Sequence, residues 1–124
     1  MRLLLDTQTY LWWRIAPDRL TSHARQAIET AEDVAVSVVS GMEIAIKQAV
    51  GKLVDEAALL DDPVEHDLGS VPVTWAHARE LRLLPLLHRD PFDRLLVAQA
   101  RVERRTLVTS DTQVRAYDVA TMPA

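Results

Sequence analysis

The sequence predicts an α/β fold built on a mostly parallel sheet, and three observations carry that prediction. Short aliphatic runs, Leu3-Leu4-Leu5, Val34-Ala35-Val36 and Leu107-Val108, are separated by long stretches in which apolar residues recur at helical spacing. That is the pattern of strands joined by helical crossovers. Polar residues follow each run at once: Asp6-Thr7, Ser37 and Thr109-Ser110-Asp111. Parallel strands share their C-terminal ends, which is where open α/β sheets place their sites. The third observation is size. With 124 residues, 48% of them hydrophobic, the chain has enough material for one core and too little for two. Residues 1–124 are therefore expected to form a single domain.

Taken in order, Leu3-Leu4-Leu5 reads as a short buried strand. Thr9 to Ile15 follows as a helix carrying Tyr10, Leu11, Trp12 and Trp13. It is too apolar all round for an exposed helix, so it belongs in the core or against a partner, and its two tryptophans cannot point the same way. Pro17 breaks the pattern. Thr21 or Ser22 caps a second helix to about Ala31, with Ala24, Ala27, Ile28 and Ala31 at helical spacing. Val34 to Ser37 is the second strand, and the helix from Val38 to about Val50 is ended by Gly51. On that helix Glu43 shares a face with Val39, Ile46 and Val50, and Lys47 stands one turn further on.

Leu53 to Gly69 mixes Asp55, Glu56, Asp61, Asp62, Glu65 and Asp67 with small apolar residues and Pro63. It is expected to form a helix, a loop and a short turn with solvated charges. Val71-Pro72-Val73 is extended, and its proline restricts it to a strand start or an edge. A helix from about Trp75 to Leu83 stops before Pro85. The next begins at the cap Asp90 with Pro91 in its first turn and runs to about Arg104. Asp93 lies three, four and seven residues before Leu96, Val97 and Ala100, which places it on their side, the buried one. Leu107 to Thr109 is a further strand, Gln113 to Tyr117 a brief helix and Val119 to Met122 a last strand.

Composition removes several kinds of chemistry. Cysteine is absent, which excludes disulfides, thiol catalysis and thiolate metal sites, so any metal must be held by oxygen or imidazole. No apolar run approaches the ~20 residues of a membrane span, and Asp6 interrupts the N-terminal Met-Arg-Leu-Leu-Leu before it resembles a signal peptide. A cytoplasmic protein without membrane contact is expected. The formal net charge of −4 runs against nucleic-acid binding, but arginines at 101, 104 and 105 leave room for a local basic surface.

The acids supply the functional signal. Asp6 and Asp111 stand just past strands, Asp93 in a first helical turn and Glu43 near the front of a helix that follows a strand. The topology sends all four towards one edge of the sheet. Each has an ordinary structural use, as a cap for Asp6 and Asp111, a helix-dipole partner for Asp93 and an ion pair with Lys47 for Glu43. Grouped carboxylates, however, repel and raise one another's pKa unless a cation balances them. Oxygen donors suit Mg²⁺ or Mn²⁺ and leave positions open for a phosphate, which points to metal-assisted phosphodiester hydrolysis. Thr7, Ser40 and Thr109 are candidate hydroxyls for orienting these carboxylates, with local backbone hydrogen bonding as their alternative use.

Four segments together carry a family resemblance: Leu4-Leu5-Asp6-Thr7; Ser40-Gly41-Met42-Glu43-Ile44-Ala45-Ile46-Lys47; Asp90-Pro91-Phe92-Asp93-Arg94-Leu95-Leu96-Val97-Ala98-Gln99-Ala100; and Thr109-Ser110-Asp111. In this order, and over nearly the whole chain, they resemble the successive motifs of PIN-domain proteins, and most of all the VapC-like toxins of type II toxin–antitoxin systems. The resemblance implies a three-layer α/β/α sandwich around a mostly parallel central sheet. It implies a Mg²⁺- or Mn²⁺-dependent endoribonuclease whose water attack leaves a 5′-phosphate and a 3′-hydroxyl. It carries the family's four acids onto Asp6 and Asp93 as direct metal ligands and onto Glu43 and Asp111 as ligands bound directly or through water. Asp90 remains a cap. A homodimer is implied too, as is a small antitoxin, VapB-like or of another DNA-binding class. Arg89, Arg94 and Arg101 are candidate RNA phosphate contacts, with simple balancing of nearby acids as the alternative.

Three other readings compete. A phosphatase that starts from a strand-end aspartate expects a second aspartate two residues on, and position 8 is Gln. A non-catalytic PIN-like binding module would hold a metal structurally and use its Trp-rich first helix for a partner; the presence of all four acids counts against it. A metal-dependent DNase would carry DNA-gripping insertions for which the chain has no room.

Overall fold

The polar residues Asp6 and Ser37, which follow the first two aliphatic runs, each cap a helix, and this strand-to-helix transition builds the first half of the molecule. The computed structural model describes all residues from Met1 to Ala124. Strand β1 (Arg2–Leu5) leads into α1 (Thr7–Ile15) and α2 (Ser22–Thr30); β2 (Asp33–Ser37) leads into α3 (Val38–Ala49). After two 3-10 turns come β3 (Gly69–Val71), α4 (Trp75–Leu83), α5 (Pro91–Glu103), β4 (Thr106–Val108), a last 3-10 turn and β5 (Thr121–Met122). The sheet has the order β3-β2-β1-β4-β5, and every pair in it is parallel. β1 is thus central, with Leu4 opposite Ala35 on one side and Leu107 on the other.

Alternation along β1 divides the core into two layers. Leu3 and Leu5 pack with Tyr10, Leu11, Ala24 and Ile28 of α1 and α2, whereas Leu4 packs with Leu96, Val97 and Ala100 of α5. Helix α3 serves both sides, giving Ile44 to the first cluster and Val39 to the second. The architecture is the expected α/β/α sandwich, with all of its strands parallel.

The departures from the sequence reading are local. Residues 53–69 hold no α-helix; Ala57–Leu60 and Pro63–His66 form single 3-10 turns, because Asp61-Asp62-Pro63 stops the first and Asp67, at φ 61°, ends the second. The extended segment near Pro72 lies two residues earlier than expected, as β3, with Pro72 just beyond its end, and it is an edge strand. The expected apolar face of α3 is buried only in its first half: Val39 is enclosed, but Ile46 and Val50 are 52% and 61% exposed. Of the first-helix tryptophans, both pack partly against the core, and the exposed one is Trp75 at the start of α4. No helix is long and apolar enough to cross a membrane.

Candidate metal centre

Asp6 is the first residue beyond β1. Its N–H donates to Val108 O at 3.1 Å, which continues the β1–β4 pairing and fixes where its side chain leaves the sheet. The carboxylate caps α1 by accepting from Thr9 N at 2.8 Å, so the structural use expected of it is real. Burial pushes its pKa up; hydrogen bonds from Thr109 and Thr9 oppose that, and the charge of Asp111 reinforces it. Capping therefore does not remove the demand for a counter-charge.

Glu43 is enclosed on the second turn of α3. Its Oε2 accepts from Lys47 Nζ at 2.7 Å, while Oε1 is buried without any partner. The expected i,i+4 pair thus occupies half of the carboxylate and leaves the other half free. Thr7 Oγ1 donates to Ser40 Oγ at 3.0 Å and ties the start of α1 to the first turn of α3, just before Glu43.

Asp93 stands in the first turn of α5. Asp90 caps that helix, accepting from Phe92 N at 2.8 Å and Asp93 N at 3.2 Å. Behind Asp93, Leu96, Val97 and Ala100 are enclosed as their spacing requires. Burial first, and then the charge of Asp90, push the Asp93 carboxyl up to about 6, with Glu43 and Asp111 adding to the shift and His88 opposing it. Asp111 follows β4, in a turn set by Thr109: its N–H donates to Thr109 Oγ1 at 3.0 Å, and its Oδ1 accepts from Gln113 N at 2.8 Å.

These side chains meet. Asp6, Glu43, Asp90, Asp93 and Asp111 line one cleft of about 280 Å³ together with Lys47, the only cation on its wall. The Lys47 pKa is raised, chiefly by its hydrogen bond to Glu43, against the opposing effect of its own burial, with Asp90 and Asp93 adding to the rise. One ammonium faces five carboxyls. Two of these, Asp6 and Asp93, are pushed towards the neutral form, and an oxygen of a third has no donor. That is the signature of a site short of positive charge, and its oxygen donors fit a hard divalent cation.

The three arginines expected to meet phosphate are not on this wall. Arg94 donates to Pro85 O at 3.0 Å and Tyr117 Oη at 3.3 Å, and Arg89 shares with it a shallow depression beside Leu86. Arg101 bonds Glu80 Oε1 at 2.6 Å and Asp118 O at 3.1 Å on the last turns of α5. It stands about 12 Å along the helix from Asp93. A local density of arginine in the sequence carries no information about which end of a helix it will occupy; Lys47 is the cation that reaches the cleft.

His88 is the residue the sequence reading left without a role. Its Nε2 lies 2.9 Å from Asp93 Oδ2 and 3.3 Å from Asp111 Oδ2, so that the ring bridges two acids from different elements. These three residues place their donor atoms within 4.8 Å of one another. The only hint in the sequence is its place two residues before the Asp90 cap.

A parallel α/β sandwich with an acidic cleft across the C-terminal ends of β1 and β4 defines a class of protein able to hold a divalent cation at that edge of the sheet. Comparison gives the family. Residues 3–120 match the PIN domain. Over 119 residues the chain is 33% identical to Ribonuclease VapC22 of Mycobacterium tuberculosis, a match covering 93% of this chain and 91% of that one. The chain therefore belongs to the PIN-domain family. Its fold resembles VapBC2 from Rickettsia felis, crystallised bound to a promoter DNA fragment, with a TM-score of 0.72 at 16% identity over 99% and 98% of the two chains. It also resembles FitAcB from Neisseria gonorrhoeae, with a TM-score of 0.67 at 19% identity over 97% and 96%.

Proposed function

We propose that this protein is a VapC-like, Mg²⁺- or Mn²⁺-dependent endoribonuclease and the toxin of a type II toxin–antitoxin pair, acting in the cytoplasm as a single PIN domain per chain. The observation that carries this reading is the convergence of Asp6, Glu43, Asp93 and Asp111, from four separate elements, on one cleft. The 33% identity to a VapC ribonuclease supports the choice of RNA as substrate.

In this reading Asp6 and Asp93 would hold the ion directly, and Glu43 and Asp111 directly or through water; all four line the cleft. When bound, a divalent ion supplies a counter-charge for the phosphate and lowers the pKa of the attacking water. Glu43 Oε1, unpartnered because Lys47 engages only Oε2, is free to accept a hydrogen bond from an attacking water and would orient it. Lys47 offers its charge to the scissile phosphate. Water attacks phosphorus and the 3′-oxygen leaves as a hydroxyl, so the products end in a 5′-phosphate and a 3′-hydroxyl. The Thr109 hydroxyl and the Thr7–Ser40 bond hold the carriers of these carboxylates in place.

An antitoxin and a second copy of the chain are the proposed partners. The row Val38, Met42, Ile46 and Val50, exposed along α3 and its C-cap, with Val38 and Met42 lining an apolar groove, gives such contacts a surface. The test of the nuclease reading is cleavage of RNA by the purified protein with added Mg²⁺ or Mn²⁺. Asp93→Asn and Asp6→Asn are each expected to lower it by roughly 100-fold or more while the circular dichroism spectrum is unchanged. Undiminished cleavage by either variant would overturn the assignment. Growth arrest on induction, relieved by co-expression of the neighbouring small gene, tests the toxin reading separately.

A further inference from the structure

We propose that His88 is a ligand of the metal in this cleft, making the site a mixed nitrogen–oxygen centre that prefers Mn²⁺ to Mg²⁺. The proposal rests on the metal-dependent reading above and extends it to a residue outside the four acids. Its basis is geometric. Two adjacent donors about 2.1 Å from an octahedral ion stand about 3.0 Å apart. His88 Nε2 stands 2.9 Å from Asp93 Oδ2 and 3.3 Å from Asp111 Oδ2, the edges such a polyhedron requires. In the metal-free protein the same separations serve as polar contacts between imidazole and carboxylate.

Nor is His88 a surface side chain that happens to fall nearby. Its ring is only 13% exposed. Its backbone N–H donates at 2.9 Å to the hydroxyl of Tyr117, which is itself buried and receives a second hydrogen bond from Arg94. The loop before α5 is therefore anchored at the residue that faces the acids, and the ring stays between Asp93 and Asp111 when an ion arrives. With its proton on Nδ1, the ring offers the Nε2 lone pair. An independent sign that the cleft awaits a cation lies on its other wall, where Glu43 Oε1 is buried and unpartnered in a side chain 7% exposed.

The consequence is selectivity. Carboxylate and water ligands serve Mg²⁺ and Mn²⁺ alike, whereas an imidazole ligand favours the transition metal. The full chain, stripped of metal, is titrated with MnCl₂ alone and MgCl₂ alone by calorimetry, and the Mn²⁺-loaded protein is studied by pulsed electron paramagnetic resonance. Wild type is expected to bind Mn²⁺ at least about tenfold more tightly than Mg²⁺ and to show ¹⁴N coupling from a directly bound imidazole. His88→Ala is expected to lose the coupling and most of the preference while Mg²⁺ affinity changes little. The spectrum of wild type needs no variant, so a misfolded His88→Ala would not leave the question open. Absence of ¹⁴N coupling, or Mn²⁺ binding to folded His88→Ala as tight as or tighter than to wild type, overturns the proposal. The ring would then be a counter-ion that the metal displaces, and the nuclease reading would stand. Failure of wild type to bind either ion would sink both.

Discussion

Asp93 carries opposite demands in the two states of the protein. In the metal-free chain its carboxyl is pushed up to about 6, mainly by burial, against an unfolded value near 3.9. Between these values the native state binds more protons than the unfolded one, so stability falls as pH rises. The contribution is fully present below about 3.9 and lost once pH has passed about 6. The raised Asp6 acts in the same direction. The melting temperature of stripped wild type should therefore drop between pH 5 and 7.5 by more than that of Asp93→Asn, and saturating Mn²⁺ should abolish the drop. Thermal melts of both proteins across that range check this; a parallel decline in the two would remove Asp93 as the cause. The aspartate was legible in the sequence because Leu96, Val97 and Ala100 set the phase of its helix. His88 was not, since it lies in a loop, and its position depends on a hydroxyl 29 residues away at Tyr117.

At the level of elements, the start of α5 combines two functions in Asp90 that substitutions can separate. Its carboxylate caps the helix through Phe92 N and Asp93 N, and its charge helps raise the Asp93 pKa. Asp90→Ala should cost about 1 kcal/mol in urea melts through the lost cap. Asp90→Ser should keep most of that stability yet lower the Asp93 pKa, read by NMR titration of the carboxyl. Equal stability loss in both variants would mean that the charge, not the cap, is what matters. The far end of α5 is held differently. Buried His77 accepts from Thr74 N at 3.0 Å, closing the capping box of α4, and its Nε2 lies 2.8 Å from Glu103 Oε1. His77→Ala should destabilise the fold by roughly 2–3 kcal/mol and leave Mn²⁺ affinity unchanged, since nothing in that network reaches the cleft. Elements such as α5 were legible because cap, proline and apolar phase agree in Asp90, Pro91 and Leu96. Residues 53–69 were misread because Asp55-Glu56-Ala57-Ala58-Leu59-Leu60 favours a helix locally, whereas Asp61-Asp62-Pro63 decides the outcome through backbone geometry. The second half of α3 was misread for a different reason: Ile46 and Val50 have the correct phase for burial, but periodicity does not reveal where the neighbouring layer ends.

On the scale of the whole molecule, the central position of β1 makes the cleft a property of the complete sheet. Its four acids come from segments that touch only through β1, β2, β4 and the helices on them. A divalent ion should accordingly raise one cooperative transition, identical by circular dichroism and by tryptophan fluorescence, with about 2.7 kcal/mol gained at 100 times Kd. Separate transitions by the two probes would show a site that forms or melts independently of the fold. The same topology governs when, during synthesis, the cleft can form. β1 emerges from the ribosome first, yet the strand that pairs with it and positions Asp111 lies about a hundred residues later. An unfinished chain carries Asp6, Glu43 and Asp93 but lacks β4, which pairs with β1 and positions Asp111. The four-acid cleft is thus completed only when nearly the whole chain has been synthesised.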